Sequence, residues 1–382
     1  MKSFHLIKTS IGAGWALRQI RELVSLGIVV HVALPEGGPL VGEYSAVGAT
    51  EHLFQTDFPI RSPWMFPALA VQFRRLVNEI KPDIIHSHFV GTTLTMRLAL
   101  GRSHSIPRVF QVPGPLHLEH PFFRNTEIAT AGFADHWIGS CQWTCDRYGQ
   151  SGIENGRIHL SYYGGDLDAF QQRTTGSLRK ELGVDYRTKI IGMVAFMYAP
   201  KAYLGQRRGL KGHEDLIDAV AICKQKFPDL LCVIIGGAWN NKKSYEDQVR
   251  RYAATKCGDK VIFLGTRHDV PDLYPDIDVA VHPSHSENVG GAVESLMNAI
   301  PTIASNVGGF PDLVRPGDTG WLVPPKSPEI LADAIMEVLN NSDHARCLAR
   351  RGQVLANNLF DVRRTATEVA DIYEKICSRN IS

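Results

Sequence analysis

Charge of one sign is what this chain most conspicuously lacks: 41 Lys and Arg stand against 39 Asp and Glu over 382 residues, a net charge of +2. Such a balance exerts no general pull on polyanions, so nucleic acid is not an expected partner. Long apolar runs are also missing. No window approaches the ~18 apolar residues of a membrane-spanning helix, and the opening MKSFHLIKTSIGAGW lacks the apolar stretch that follows the basic start of an export signal. A cytoplasmic protein is expected. The cysteines Cys141, Cys145, Cys223, Cys232, Cys257, Cys347 and Cys377 are odd in number and scattered. They do not lay out a disulfide framework, and a reducing compartment fits them best. Cys141 and Cys145 have no Cys or His pair at ligand spacing beside them, so they read as packing residues rather than a zinc site. Short-period repeats and low-complexity tracts are absent too.

What is present is a globular composition, 44% hydrophobic and 21% charged with 34 Gly and 21 Pro, long enough for two domains. Short apolar runs alternate with amphipathic stretches throughout. Strands are predicted at residues 4–7, 29–34, 83–86, 109–112, 136–138 and 158–161, then at 190–195, 231–235, 261–264, 279–282 and 302–304. Helices are predicted among others at 16–26, 66–80, 213–226, 244–255 and 328–340. Strands separated by helices imply an α/β protein with parallel sheets, and two series of them imply two doubly wound, Rossmann-like domains. The pattern lapses at residues 171–187, which sets the expected domains at 1–170 and 187–364. Ligands of such domains sit beyond the carboxyl ends of the strands, so the motifs are expected to meet in a central cleft that the two domains face.

Several motifs could carry chemistry there. Gly12 and Gly14 lie where the first strand runs into a helix; they suit either close approach of the backbone to a ligand or a tight turn with no ligand. The run from His282 to Pro301 holds Glu287, Asn288, Val289, Gly290, Gly291 and Glu294 between two apolar strands. A helix starting at the two glycines would aim its first N–H groups at a diphosphate. Carboxylates on either side repel phosphate but accept well from sugar hydroxyls, although acids at a helix start are also favoured by its dipole alone. Lys211, ahead of Gly212 at a helix start, suits a phosphate clamp, and Arg207 and Arg208 are either further phosphate contacts or plain surface. In the first domain His88, Gln111 and His117 stand at or beyond strand ends, as acceptor contacts or as caps. The triplets Asp166-Leu-Asp168 and Asp276-Ile-Asp278 have turn and strand-start explanations, so no metal is expected. The stretch from Trp64 to Arg75 mixes aromatic and basic residues ahead of a helix, which suits either a packed helix or peripheral association with a membrane.

The string HPSHSENVGGAVESLMNAIPTIASNVGGFPDLVRPGDTGWLVPP resembles the donor-site signature of retaining nucleotide-sugar glycosyltransferases of the GT-B fold, of the family 4 type. The likeness extends through Gly12 to Gly14, DIIHSH, the YYGGD turn, Lys211-Gly212, VIFLGTRHDVPDLY and PPKSPEILADAI. It implies that Glu287 contacts the donor sugar, Glu294 the nucleotide ribose and Lys211 the diphosphate, with the base near Arg267 to Val270. It further implies that the last helix, about 365–382, packs back on the first domain. Two departures stand out. Six residues separate Glu287 from Glu294 where the family usually has seven, and the family's Arg at the end of the second domain's first strand is missing, so that Arg207 or Arg208 would have to supply its charge.

The implied function is a hexosyltransferase-type enzyme, metal-independent and retaining, that moves a sugar from a nucleotide diphosphate donor to a hydroxyl of a glycan, lipid-linked or small-molecule acceptor in bacterial polysaccharide or glycoconjugate synthesis. Glu287, Lys211 and His88 would be its catalytic residues, and no cofactor is expected. It would work in the cytoplasm, at the inner face of the membrane where its acceptor is lipid-borne. A nucleotide-sugar epimerase on the same fold and a two-lobed binding protein without chemistry are the rival readings; accumulation of an epimer from donor alone marks the first, and nucleotide release on adding acceptor excludes the second.

Overall fold

The computed structural model describes residues 1–165, 167, 176–201, 205–239 and 242–379. The chain divides into two compact units, Met1–Asp166 with Leu359–Ser382, and Leu167–Asn358. The division falls ahead of the polar stretch 171–187 and returns the chain to the first unit at 359. Asp166 and Asp168 lie outside the described residues.

The first unit is a seven-stranded sheet. Its strands are β1 (Lys2–Leu6), β2 (Val29–Leu34), β3 (Thr50–Leu53), β4 (Ile84–Ser87), β5 (Arg108–Val112), β6 (Asp135–Gly139) and β7 (Ile158–Leu160), in the order β3-β2-β1-β4-β5-β6-β7. All neighbours run parallel. β4 and β5 are buried along their whole length, the polar His86, Ser87, Arg108 and Gln111 included. Helix Val362–Arg379 belongs to this unit, with Val369, Tyr373 and Ile376 buried in one cluster with Ile20 and Leu23 of helix Gly14–Ser25. Away from that cluster, Arg97 and Arg108 share the carboxylate of Asp135 at 2.9 and 2.6 Å, all with almost no exposure. Arg97 also pairs with the buried Glu127 at 2.5 Å, so two cations meet two carboxylates, and charges that would be costly to bury alone compensate one another.

The second unit repeats the plan with β8 (Lys189–Val194), β9 (Leu230–Ile235), β10 (Val261–Gly265), β11 (Val279–His282), β12 (Thr302–Ser305) and β13 (Trp321–Val323), in the order β10-β9-β8-β11-β12-β13. These pairs too are parallel. In both units the chain starts mid-sheet, winds outward, then crosses back to build the other side. The reversal opens a crevice beyond the carboxyl ends of β1 and β4 in one unit, and of β8 and β11 in the other.

Every predicted strand is present, and the structure adds two. Thr50–Leu53 is a polar edge strand with no buried residue, and Trp321–Val323 is three residues at the opposite kind of edge. The first is too polar and the second too short to stand out as a strand. All seven cysteines are unpaired. Cys141 and Cys145 are buried, their sulfurs against the Thr144 hydroxyl and the His159 carbonyl.

Candidate active site

The crevice of the second unit is built by two loops that touch. The chain leaves β11 at His282 and enters helix Gly290–Met297 after seven residues. Gly290 has φ +39°, and a Cβ there would lie 2.8 Å from the Glu287 carboxylate carbon. A Cβ on Gly291 would lie 3.0 Å from the Val194 carbonyl at the end of β8. The first glycine therefore lets Glu287 fold back over the helix start, and the second lets that helix start approach β8. Gly212, with φ +73°, faces the Pro283 carbonyl so closely that a Cβ would stand 2.0 Å from it. The Lys211-Gly212 turn thus lies directly on the loop that carries Glu287, and the His285 amide donates to the Leu210 carbonyl at 2.8 Å.

The contact brings the principal candidates together. Lys211 Nζ donates to Glu287 Oε2 and lies 5.7 Å from the centre of the Tyr198 ring. Glu287 also accepts from its neighbour's amide, Asn288 N, at 3.0 Å and from Ser284 Oγ at 3.5 Å. Both charged side chains keep some exposure, 17% for Lys211 and 12% for Glu287, so the pair is reachable from solvent. Burial, with the Glu287 charge nearby, pushes the Tyr198 phenol up to about 12. A cation clamped by a carboxylate beside a helix N-terminus can exchange that carboxylate for an incoming phosphate, leaving the acid to face the ligand's hydroxyls.

Glu294 lies in the second turn of the same helix and lines a pocket of about 210 Å³ with Val194, Phe196, Gly236, Thr266 and Arg267. The Tyr274 hydroxyl donates to Glu294 Oε2 at 3.4 Å. Arg267 at this pocket is held by Asp269 at 2.6 Å and by Glu181 at 2.8 Å. Beneath the helix, burial pulls His282 down to about 3, and its Nε2 lies 3.0 Å from Ser295 Oγ.

Arg208 is not brought to this pair. Its guanidinium donates to Asp215 and, at 2.7 Å, to Asp218 on helix His213–Cys223, and Asp215 also takes the Nε2 of His285. Two carboxylates already answer its charge, so it acts as a strut between the Lys211 loop and the Glu287 loop rather than as a phosphate ligand. Arg207 is exposed, with no hydrogen bond or ion pair among the described residues. The strut from Arg208 through Asp215 to His285 escaped the sequence reading, since nothing in its spacing marks a His and an Asp 70 residues apart as neighbours.

In the first unit the structure corrects two assignments. His88 is wholly buried; its Nδ1 meets the Tyr163 hydroxyl at 2.8 Å and its Nε2 meets His5 Nδ1 at 3.0 Å. With both nitrogens engaged inside the protein it has no atom to offer a substrate and is not a catalytic residue. Gln111 is likewise buried, accepting from Gln19 at 2.9 Å and donating to the Ser161 carbonyl at 3.2 Å, and is not an acceptor contact. His117, held down to about 4 by burial, faces the Tyr148 hydroxyl at 3.1 Å. Gly12, with φ +74°, is exposed in the turn before helix Gly14–Ser25, whose first residue is Gly14.

Two parallel sheets of this order, in two units, define a GT-B fold. The chain superposes on the Anabaena Alr3699/HepE structure in complex with UDP-glucose at a TM-score of 0.80, with 22% identity, over 98% of this chain and 100% of that one. It superposes on the lipopolysaccharide glycosyltransferase WaaG at 0.67, with 14% identity, over 98% and 99%. Sequence carries the assignment further: the Glycosyltransferase Family 4 model matches residues 15–169 and the Glycosyl transferases group 1 model matches residues 202–354. The chain belongs to this glycosyltransferase family and is a hexosyltransferase-type enzyme. A D-inositol 3-phosphate glycosyltransferase of Corynebacterium aurimucosum is 27% identical over 96% of this chain and 91% of its own length. The lipopolysaccharide core biosynthesis mannosyltransferase LpsB of Rhizobium meliloti is 24% identical over 52% and 55%.

Proposed function

We propose that the enzyme transfers a hexosyl group, with retention of anomeric configuration, from a nucleoside diphosphate sugar bound in the second unit to an acceptor hydroxyl. The observation that carries this reading is the Lys211–Glu287 pair at the start of helix Gly290–Met297, with Glu294 seven residues on in an adjoining pocket. Spacing and burial fit a diphosphate between sugar and nucleoside. The ribose lies against Glu294, the diphosphate on the helix-start N–H groups and Lys211, and the sugar hydroxyls on Glu287.

When the bond between the anomeric carbon and the phosphate oxygen breaks, the departing diphosphate gains negative charge. Lys211 and the amides of the helix start stabilise it without reorganising. The acceptor hydroxyl attacks the same face of the sugar, and its proton passes to the departing phosphate oxygen, so no carboxylate serves as nucleophile. Glu287 fixes the sugar and tolerates the positive character at the reacting carbon. Charge compensation by Lys211 and main-chain amides makes a metal at the diphosphate unnecessary.

UDP-sugars are the first donors to test, because HepE of the same fold binds UDP and UDP-glucose. The experiment is a thermal-shift screen of UDP-, GDP- and ADP-sugars in EDTA, followed by analysis for transfer and for epimerised donor. A ligand at 100 times its Kd adds about 2.7 kcal/mol of stability, so one nucleotide class should raise Tm by several degrees with chelator present. No shift from any donor, or turnover abolished by EDTA and restored by manganese, refutes the proposal.

A further inference from the structure

The first unit's crevice has an aromatic surface over a buried histidine cluster, and neither enters the donor chemistry above. Trp15, the second residue of helix Gly14–Ser25, lies 4.3 Å from the Tyr163 ring, 5.6 Å from Phe89 and 5.7 Å from His88, centroid to centroid. Trp15, Phe89 and Tyr163 are half-buried, whereas His88 beneath them has no exposure at all. An indole that packs on three rings and on the core of the first unit yet keeps part of its surface exposed, at the carboxyl ends of β1 and β4, stands where a ligand of this fold is expected.

The layer below fixes that surface. The Tyr163 hydroxyl donates to the Gln111 carbonyl at 3.2 Å, so it accepts from His88 Nδ1–H at 2.8 Å. The network thereby assigns His88 a bare Nε2, which accepts from His5 Nδ1–H at 3.0 Å. Their ring centroids are 5.3 Å apart, which sets the two imidazoles end to end along that N–H···N line. His5 Nε2 in turn lies 3.2 Å from Ser3 Oγ and 3.4 Å from the Tyr373 hydroxyl, which also bonds His86 Nδ1. One nitrogen each of His5, His86 and His88 falls within 4.8 Å of the others. The collinear hydrogen bond nevertheless uses the lone pair of His88 that a shared ion would need. The cluster is a directional relay of neutral imidazoles, and its last link is Tyr163. Because that hydroxyl already donates once and accepts once inside the protein, Tyr163 offers a ligand its ring rather than a hydrogen-bond donor.

We propose that Trp15, flanked by Phe89 and Tyr163, is the platform on which a cyclic polyol ring of the acceptor, a pyranose or cyclitol, stacks through its C–H face, and that His88 is a positioning residue acting through Tyr163. The proposal rests on the glycosyltransferase reading, which requires a hydroxyl-bearing acceptor. A rigid aromatic face gives contact area at little entropic cost. It discriminates a ring from an open chain by shape.

Saturation-transfer NMR with methyl α-D-glucopyranoside, myo-inositol and, as the open-chain control, glycerol tests this, with UDP binding followed in parallel by thermal shift. Wild-type protein should saturate ring C–H protons of the cyclic probes and not those of glycerol. Trp15→Ala should weaken the signal at least tenfold, while Trp15→Phe restores most of it. His88→Asn should raise KM for a cyclic acceptor without lowering kcat by more than a few-fold, and Tyr163→Phe, which keeps the ring and gives up the bonds to His88 and to the Gln111 carbonyl, should show the same split. UDP binding should be unchanged in all four variants. Absence of saturation in the wild type, equal saturation of glycerol, or an unaltered signal in Trp15→Ala overturns the platform, as does competition by UMP at Trp15, which would make it a nucleobase site. Failure of UDP to bind the wild type would instead count against the donor site, leaving the two outcomes separable.

Discussion

Lys211, Glu287 and Glu294 in the second unit carry separable parts of the proposed reaction. Lys211 meets charge that grows as the sugar leaves, so Lys211→Ala should lower kcat and not merely raise the donor KM; an interaction made only in the transition state behaves that way. Glu294 holds a part of the donor that does not change during reaction, so Glu294→Ala should chiefly raise the donor KM, by about tenfold for a lost charged hydrogen bond worth ~1.5 kcal/mol. Steady-state kinetics on both variants check the split, and an equal fall in kcat for the two would mean that their roles have been confused. Arg208 shows how a charge can be misread. In the linear sequence it is one of several cations beside a glycine turn, and only the fold reveals that Asp215 and Asp218 have claimed it.

At the scale of elements, the parallel strands and most helices were legible because most buried strands are short, largely apolar segments between amphipathic stretches, and residues 66–80 and 328–340 have the 3.6-residue period of half-buried helices. The Lys211 and Glu287 loops were legible as separate motifs through their glycines. Their direct contact was not, because it depends on β8 and β11 being neighbours, which strand order and not local pattern decides. The histidine relay was hidden for the same reason: His5 and His86 are register partners on adjacent strands 81 residues apart. These strand-borne histidines have a thermodynamic consequence. Burial draws His5 down to about 3 and His282 to about 3, and on helix His213–Cys223 it draws His213 to about 4. All are neutral in the native state and gain protons on unfolding below about pH 6.5. Their contribution is therefore fully present above pH 6.5 and declines as pH falls toward their folded values, each by up to about 1.4 kcal/mol per pH unit. Tm measured from pH 8 to pH 4 should be flat at first and then drop steeply below pH 6.5. A Tm that holds level to pH 4 would contradict the neutral buried state.

At the scale of the whole molecule, no helix among the described residues is long and apolar enough to cross a membrane. The first unit nonetheless exposes Ile60, Trp64, Met65 and Val71 at or beside the start of helix Phe66–Ile80. Arg75 on that helix is matched by Glu79 at 2.8 Å, so apolar insertion would outweigh charge in any attachment. If the acceptor is borne on a lipid, the protein should float with anionic liposomes at low salt and do so less after Trp64→Ala. Recovery entirely in the soluble fraction removes the membrane from the account. The central claim, that the donor sugar sits at Glu287 beside the helix start, is tested most directly by the turnover of Glu287→Ala, measured as nucleotide release from the donor class that stabilises the wild type. With circular dichroism and Tm close to wild type, the account predicts a fall in kcat of about 10- to 1000-fold, or ~1.4 to 4 kcal/mol of lost transition-state stabilisation. Near-normal turnover in that folded variant would contradict it.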